Sequence, residues 1–336
     1  MKNRTGLRGF IKWIPGLIIS ILAIIIITKF VDIKEFQNAF MRFNLLDVVI
    51  FIVLMILSLL IRAKAWQSLL DVLDFKLSFL VINQGYLFNN LIPRSGEIVR
   101  AVLVSNEKKI SGFRVLSSII VERSIDLAIA AGMFLASLPL ILEFEWIKPL
   151  ATALFFGVLL FMIVIIILSH NQTRVNALII NIKGKNKIFA KFVGPAVESL
   201  LSGFSTLKNP VKFLVSLFWM VLTWIAWTVL LFYALTLIHP SPPFLWAIFI
   251  ESVLALGIAL PSAPANIGVY EGTMVAALSI FDIDINTALS TAIVLHSIQI
   301  FITSIFGVIG LLSQGQSIHK LLEKIKIRSF SGNNEE

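Results

Sequence analysis

The feature that most restricts this chain is the length and purity of its apolar runs. Leu45–Ile61, Pro149–Ser169, Val211–Ile238 and Ile285–Leu312 carry almost no side chain that asks for water. At about 1.5 Å per helical residue, such runs approach or exceed the ~30 Å hydrocarbon core of a bilayer. A bilayer core offers no water to satisfy backbone N–H and C=O groups, and a continuous helix satisfies them internally. With 58% hydrophobic and only 14% charged residues among 336, there is no room for a sizeable soluble domain. The expected fold is an all-α polytopic membrane protein.

The net charge of +9 does not point to nucleic acid. Lys and Arg sit in short loops and tails between apolar runs, the bias expected of the cytoplasmic side of a membrane protein. The absence of Cys excludes disulfides, thiolate nucleophiles and thiolate metal sites. The basic N-terminus MKNRTGLRGFIKW precedes an apolar run over Ile14–Thr28 that ends in Lys29-Phe30-Val31-Asp32 rather than in a small-residue cleavage site, so it reads as a retained helix. A nearly neutral loop leads to the crossing at Leu45–Ile61, which Arg62 and Lys64 return to the cytoplasm. Both crossings read as structural. The whole of 1–315 is expected to be one transmembrane domain, with halves of about 1–142 and 149–315. Within it, a basic segment of about 171–210 repeats Val175, Leu178, Ile179 and Ile182 at helical spacing and fits amphipathic helices on the cytoplasmic leaflet. A basic tail, 316–336, follows. The expected location is the cytoplasmic membrane of the cell, multi-pass, with both termini in the cytoplasm.

Two segments break the pattern. Ser78–Leu103 is interrupted by Asn83, Gln84, Asn89, Asn90 and Pro93, leaving pieces too short and too polar for a simple crossing. Such a segment reads as re-entrant or discontinuous, tolerated where protein or a water-filled cavity satisfies its backbone. Lys108, Lys109 and Arg114 follow it, so it opens from the cytoplasm, and Val115–Leu142 is then long enough to span. In the second segment, Phe244–Leu260 is apolar except for Glu251, Pro261-Ser-Ala-Pro264 interrupts it, and Gly268–Ile280 resumes with Glu271. Its flanks, HPSPP and Asp282-Ile-Asp284, hold no Lys or Arg, so it opens from outside. The tally is about six full crossings plus two oppositely oriented re-entrant hairpins. An inverted repeat with a site at its interface would give this arrangement, and so would two unrelated hairpins.

The charges inside these segments need a reason, because an unpaired charge at membrane depth costs several kcal/mol. Glu97 and Arg100, and Arg123 and Asp126, are i,i+3 pairs, and Glu122 and Asp126 are i,i+4. Ion pairing alone could account for them. Yet three arginines (94, 100, 123) face five carboxylates (97, 122, 126, 251, 271), so at least two carboxylates are left over. That favours a functional polar site. The guanidinium fork matches phosphate oxygens, helix N-termini after Pro93 and Pro264 would add N–H donors, and Gly96 and Gly268 permit close backbone approach. The candidate substrate-binding residues are therefore Asn89, Arg94, Glu97, Arg100, Arg123, Asn266 and Gly268. The candidates for coupling or gating are Glu122, Asp126, Glu251, Glu271 and His296. Glu97 and Glu271 are expected to approach one another near the midplane, with Arg100 and Arg123 close by. His296 and Gln299 share a face of the last span, where His296 reads as a packing residue or a proton relay.

Other chemistry is poorly supported. His170, His239, His296 and His319 lack metal-ligand spacing, no Gly-rich phosphate loop occurs, and Asp282-Ile-Asp284 reads as an exposed acidic loop. No cofactor, metal or catalytic residue is expected.

The runs NNLIPRSGEIVRAVLV, VERSID and PSAPANIGVYEGTMVAAL resemble the lysylphosphatidylglycerol synthase transmembrane region, a flippase-like membrane protein family. The resemblance covers about residues 10–315 and rests on Asn89, Pro93, Gly96, Glu97, Arg100, Glu122, Arg123, Asp126, Pro264, Gly268 and Glu271. Better-known members carry a soluble C-terminal domain that transfers lysine from tRNA to phosphatidylglycerol. This chain stops in a short basic tail, so that transfer is not expected of it. The resemblance implies a flippase for an anionic or aminoacylated phospholipid or a polyprenyl-phosphate-linked lipid. The alternatives are a membrane-embedded enzyme acting on a lipid-linked sugar or phospholipid head group, and a non-transporting scaffold. The expected partners are an anionic lipid head group, the bilayer, and either a second copy of the chain or a lipid-modifying enzyme, with no nucleic acid.

Overall fold

The computed structural model describes residues 32–141 and 210–315, with scattered helical positions between 149 and 171. The expected first crossing, most of that at Pro149–Ser169, the basic segment near 171–210 and the tail lie outside the described residues. The fold is all-helical. Among the described residues there are nine α-helices and one 3-10 turn, and no strand. The helices are α1 (Ile33–Phe40), α2 (Leu45–Leu69), α3 (Phe75–Leu91), α4 (Gly96–Lys108), α5 (Gly112–Ile141), α6 (Pro210–Ile238), α7 (Phe244–Ile258), α8 (Val269–Ser279) and α9 (Ile285–Ser313). Three of the described helices, Leu45–Leu69, Val211–Ile238 and Ile285–Ser313, are long and apolar enough to cross a membrane.

Helix starts follow side-chain caps, which satisfy N–H groups that have no partner within the helix. Asp32 accepts from the Lys34 and Glu35 amides, Asp74 from Leu77, and Asp284 from Asn286 and Thr287. Asn44 and Asp47 cap α2 reciprocally. The Leu77 N–H, with the Lys108 ammonium, holds the Asp74 carboxyl below the usual carboxylate range.

Two boundaries depart from the sequence expectation. The loop expected before Leu45 contains α1, a short helix that docks on α9 through Asp32 N–H and Glu35, both bonded to Asn286. The second crossing does not end at Ile61: α2 continues to Leu69, burying Arg62, Ala63, Ala65 and Trp66. Arg62 is therefore an interior residue rather than a loop charge.

The topology brings two helical hairpins together. Near one end of α2 the Tyr233 hydroxyl of α6 donates to Asp47, and near the other Arg62 lies against Met220, so α2 and α6 run antiparallel. The hairpin α3–α4 starts from the C-terminal end of α2, and α7–α8 starts from the C-terminal end of α6. The two hairpins thus open at opposite ends of the bundle, and their tips meet where the Arg94 guanidinium donates to the Ala259 carbonyl. Each has its own apolar cluster. Trp66, Val81, Phe88 and Val99 pack around the first, and Phe249, Leu254, Met274 and Leu295 around the second.

Close backbone approach sets the first hairpin. A Cβ on Gly96 would stand 2.3 Å from the Gly85 carbonyl oxygen and 2.7 Å from Asn89 Nδ2. The same economy joins α3 to α9, where a Cβ on Gly307 would meet Leu87 Cβ at 2.6 Å. Small residues at helix contacts are how membrane helices gain packing without a hydrophobic drive between them.

Candidate functional site

Between the hairpin tips lies a cavity of about 570 Å³, with walls from α2 to α9. The turns that form the tips are tight. Arg94 has φ 56°, Ala265 56° and Asn266 58°, left-handed values that are uncommon for residues with a Cβ, and Gly268 has φ 85°. Side chains stabilise them. Asn89 Oδ1 accepts the Gly96 N–H at 2.7 Å, and Glu271 Oε2 accepts the Gly268 N–H at 2.6 Å. Those first amides, expected to be free for a ligand, are used by the protein itself.

The charged groups pair mostly between helices, and Arg123 with Asp126 is the expected i,i+3 pair that also forms along one. Arg62 makes two parallel bonds to Asp126, at 2.8 and 2.6 Å, and its Nη2 lies 2.5 Å from Glu122. Arg100 reaches across to Glu122 at 2.5 Å and lies 4.0 Å over the Trp66 ring. Arg123 bonds Glu97 at 2.9 Å and approaches Asp126 at 3.7 Å. The Trp224 indole N–H donates to Asp126 at 3.0 Å. Glu97 therefore pairs with Arg123 and not with Arg100. Both sit on α4, but α4 packs along α5, so each head group finds its partner there.

Of the expected residues, the structure brings Asn89, Arg94, Glu97, Arg123, Asp126, Glu251 and Asn266 to the cavity wall. Arg100 and Glu122 are buried behind it, with Glu122 only 1% exposed. Glu271 and His296 are also set back: His296 Nδ1 lies 2.6 Å from Glu271 Oε1, and Tyr270, which lines the cavity, stacks on the imidazole at 4.2 Å. Gly268 caps α8 away from the lining. Glu97 and Glu271 thus do not face one another across the cavity. Asp284 serves as a helix cap, and no group of three potential metal ligands occurs among the described residues.

Arg62 is the principal residue that sequence reasoning missed. Counting it, three arginines, Arg62, Arg100 and Arg123, meet the carboxylates of the cluster, and Glu271 is matched separately by His296. Two groups remain without an ionic partner among the described residues. Arg94 contacts only a backbone carbonyl, and Glu251 has neither an ion pair nor a hydrogen bond. Both line the same cavity.

A family model described as the lysylphosphatidylglycerol synthase TM region matches residues 13–307. The chain belongs to this family. A relative within reach of sequence comparison is the "UPF0104 membrane protein MJ1595" of Methanocaldococcus jannaschii, 24% identical, with 90% of this chain and 95% of the relative covered. No solved structure matches. The matched region contains both hairpins and every charged residue of the cavity, so family membership and site geometry concern the same part of the molecule.

Proposed function

We propose that this membrane protein moves a phosphate-bearing lipid, an anionic or aminoacylated phospholipid or a polyprenyl-phosphate-linked lipid, between leaflets. The observation that carries the reading is the placement of Arg94 and Arg123 on the wall of a 570 Å³ cavity between opposed hairpin tips. Arg94 has no carboxylate partner among the described residues, and the Arg123 side chain is 46% exposed although it is bonded to Glu97. A guanidinium with open donors binds phosphate oxygens in a planar fork, and the volume lies within the ~300–1,000 Å³ range of small-ligand sites. The apolar walls supplied by Leu127, Leu254 and Ile258 suit the glycerol or prenyl portion next to the phosphate. The membrane association of the family supports a lipid rather than a soluble substrate.

In this reading the hairpins are re-entrant, one from each side, and the cavity sits between them near the bilayer midplane. The end of the bundle bearing Lys76, Lys108, Lys109, Arg114 and Lys212 faces the cytoplasm, and the end bearing Asp32, Glu35, Asp282 and Asp284 faces outward.

The test is leaflet exchange of fluorescent phosphatidylglycerol and of a polyprenyl phosphate in proteoliposomes, with phosphatidylcholine as control. Exchange of at least one anionic lipid is expected, lowered about tenfold or more by Arg94→Ala or Arg123→Ala, the loss of about 1.4 kcal/mol or more of interaction. Absence of exchange for every lipid, or a new covalent lipid product in mass spectrometry, would refute the transport reading.

A further inference from the structure

Glu251 is the one carboxylate of the cavity wall without a partner among the described residues. It lies midway along α7, whose other residues are apolar or small, and has no cation or hydrogen-bond donor among the described residues. Its electrostatic neighbours are Asp126 from α5 and Tyr270 from α8. From α6 come the indoles of Trp224 and Trp227, and the titratable groups of that helix bond elsewhere, Lys212 to Asp71 and Tyr233 to Asp47. From α9 the contribution is Gln299 on the wall and His296 paired with Glu271 behind Tyr270. Among the described residues no positive charge is set against Glu251 as Arg62 is against Asp126 or Arg123 against Glu97.

The charge balance turns on this residue. The cavity wall and the arginine–carboxylate pairs directly behind it contain Arg62, Arg94, Arg100 and Arg123 against Glu97, Glu122, Asp126 and Glu251, leaving aside the His296–Glu271 pair behind Tyr270. With every group ionised the set is neutral and has no net charge to match an anion. With a proton on Glu251 it carries one positive charge, which matches a single phosphodiester. Glu251 is the carboxylate of this set with no guanidinium beside it among the described residues. The arginines stay charged at any ordinary pH, and Glu97, Glu122 and Asp126 each lie within ion-pair distance of a guanidinium. In a low-dielectric cavity, entry of an unmatched anion beside Asp126 and an ionised Glu251 is unfavourable.

We infer that Glu251 is a proton-binding site linked to the head-group site: an anionic phosphate lipid enters the cavity together with one proton on the Glu251 carboxyl, and the two leave together. The proton comes from and returns to bulk water, and no bond in the lipid is made or broken. The inference rests on the lipid-transport reading and adds its coupling ion. By linkage, whatever binds the lipid must raise proton affinity by the same factor that protonation raises lipid affinity.

The experiment uses the full chain in phosphatidylcholine nanodiscs, titrated with phosphatidylglycerol, a phosphodiester whose charge does not change over the range tested. Quenching of the cavity tryptophans reports binding from about pH 5.5 to 8.5, and a pH indicator in weakly buffered medium counts protons. The wild type should take up protons on binding, approaching one per lipid at the high-pH end, and lose up to about tenfold in affinity per pH unit there. Glu251→Gln, neutral and nearly isosteric, should keep the high affinity throughout and take up none, and Glu251→Asp should retain the slope. Binding without proton uptake in the wild type, or a slope unchanged in Glu251→Gln, overturns the inference and leaves the transport reading standing. The wild-type proton count decides even if the glutamine variant does not fold. If neither phosphatidylglycerol nor a polyprenyl phosphate binds at any pH, the transport reading fails and takes this inference with it.

Discussion

Glu122 is held by Arg62 from α2 and Arg100 from α4, each at 2.5 Å, with Trp66 stacked on the second guanidinium. Removing a buried partner strands the charges it matched, which costs about 3–5 kcal/mol, more than the intact pair contributes. Glu122→Ala should therefore lower thermal stability in detergent far more than Arg94→Ala, whose side chain is exposed and bonded only to a carbonyl. Equal melting temperatures for the two variants would contradict the assignment of Glu122 to a structural role behind the cavity. At this scale the sequence was partly legible. The excess of charge at Arg94–Asp126 was visible because charges are rare in apolar runs, and so was the isolation of Glu251. Arg62 was hidden because an arginine closing an apolar run looks like a cytoplasmic flank. The available signal was downstream, where Ala63, Ala65, Trp66 and Leu69 continue the apolar pattern through two further turns. Pair identity was legible only for Arg123 with Asp126; Glu97 and Arg100 find partners on α5, since spacing along one helix says nothing of the helix beside it.

The helical hairpins depend on backbone proximity more than on their charges. Gly96→Ala would place a methyl 2.3 Å from the Gly85 carbonyl, so α3 and α4 must separate. Overpacking of this kind costs about 1–3 kcal/mol and here would also shift Glu97 and the Arg94 turn. The expected outcome is a lower melting temperature together with weakened lipid binding. Gly112→Ala is the control, because its nearest neighbour, Ser105 Oγ, stands at 3.9 Å, and it should change neither. Normal stability and binding in Gly96→Ala would show that the tip geometry is not needed. The hairpins themselves could be read from Pro93, Pro264 and the polar interruptions, because proline and unsatisfied backbone groups break a membrane helix in a recognisable way. The short helix α1 could not, as its docking depends on Asn286, some 250 positions away in sequence.

For the whole molecule, the antiparallel α2/α6 pair explains why two hairpins with little residue-level identity end tip to tip. Each follows the C-terminal end of one member of the pair, and those ends lie on opposite sides. Each hairpin packs into its own apolar cluster, and the cavity is what remains where the clusters meet. Class and membrane residence were evident from composition, since nothing else accommodates so many apolar runs. The cavity was not, because it is made by eight helices whose relative placement no local pattern records. The central claim is that a lipid phosphate occupies this cavity against Arg94 and Arg123. A cryo-electron microscopy map of the protein in nanodiscs containing phosphatidylglycerol or a polyprenyl phosphate tests it most directly. The account predicts head-group density between the tips, within hydrogen-bond distance of both guanidinium groups and absent from Arg94→Ala. Anionic lipid density confined to the outer surface, with the cavity empty in the presence of both lipids, would contradict it.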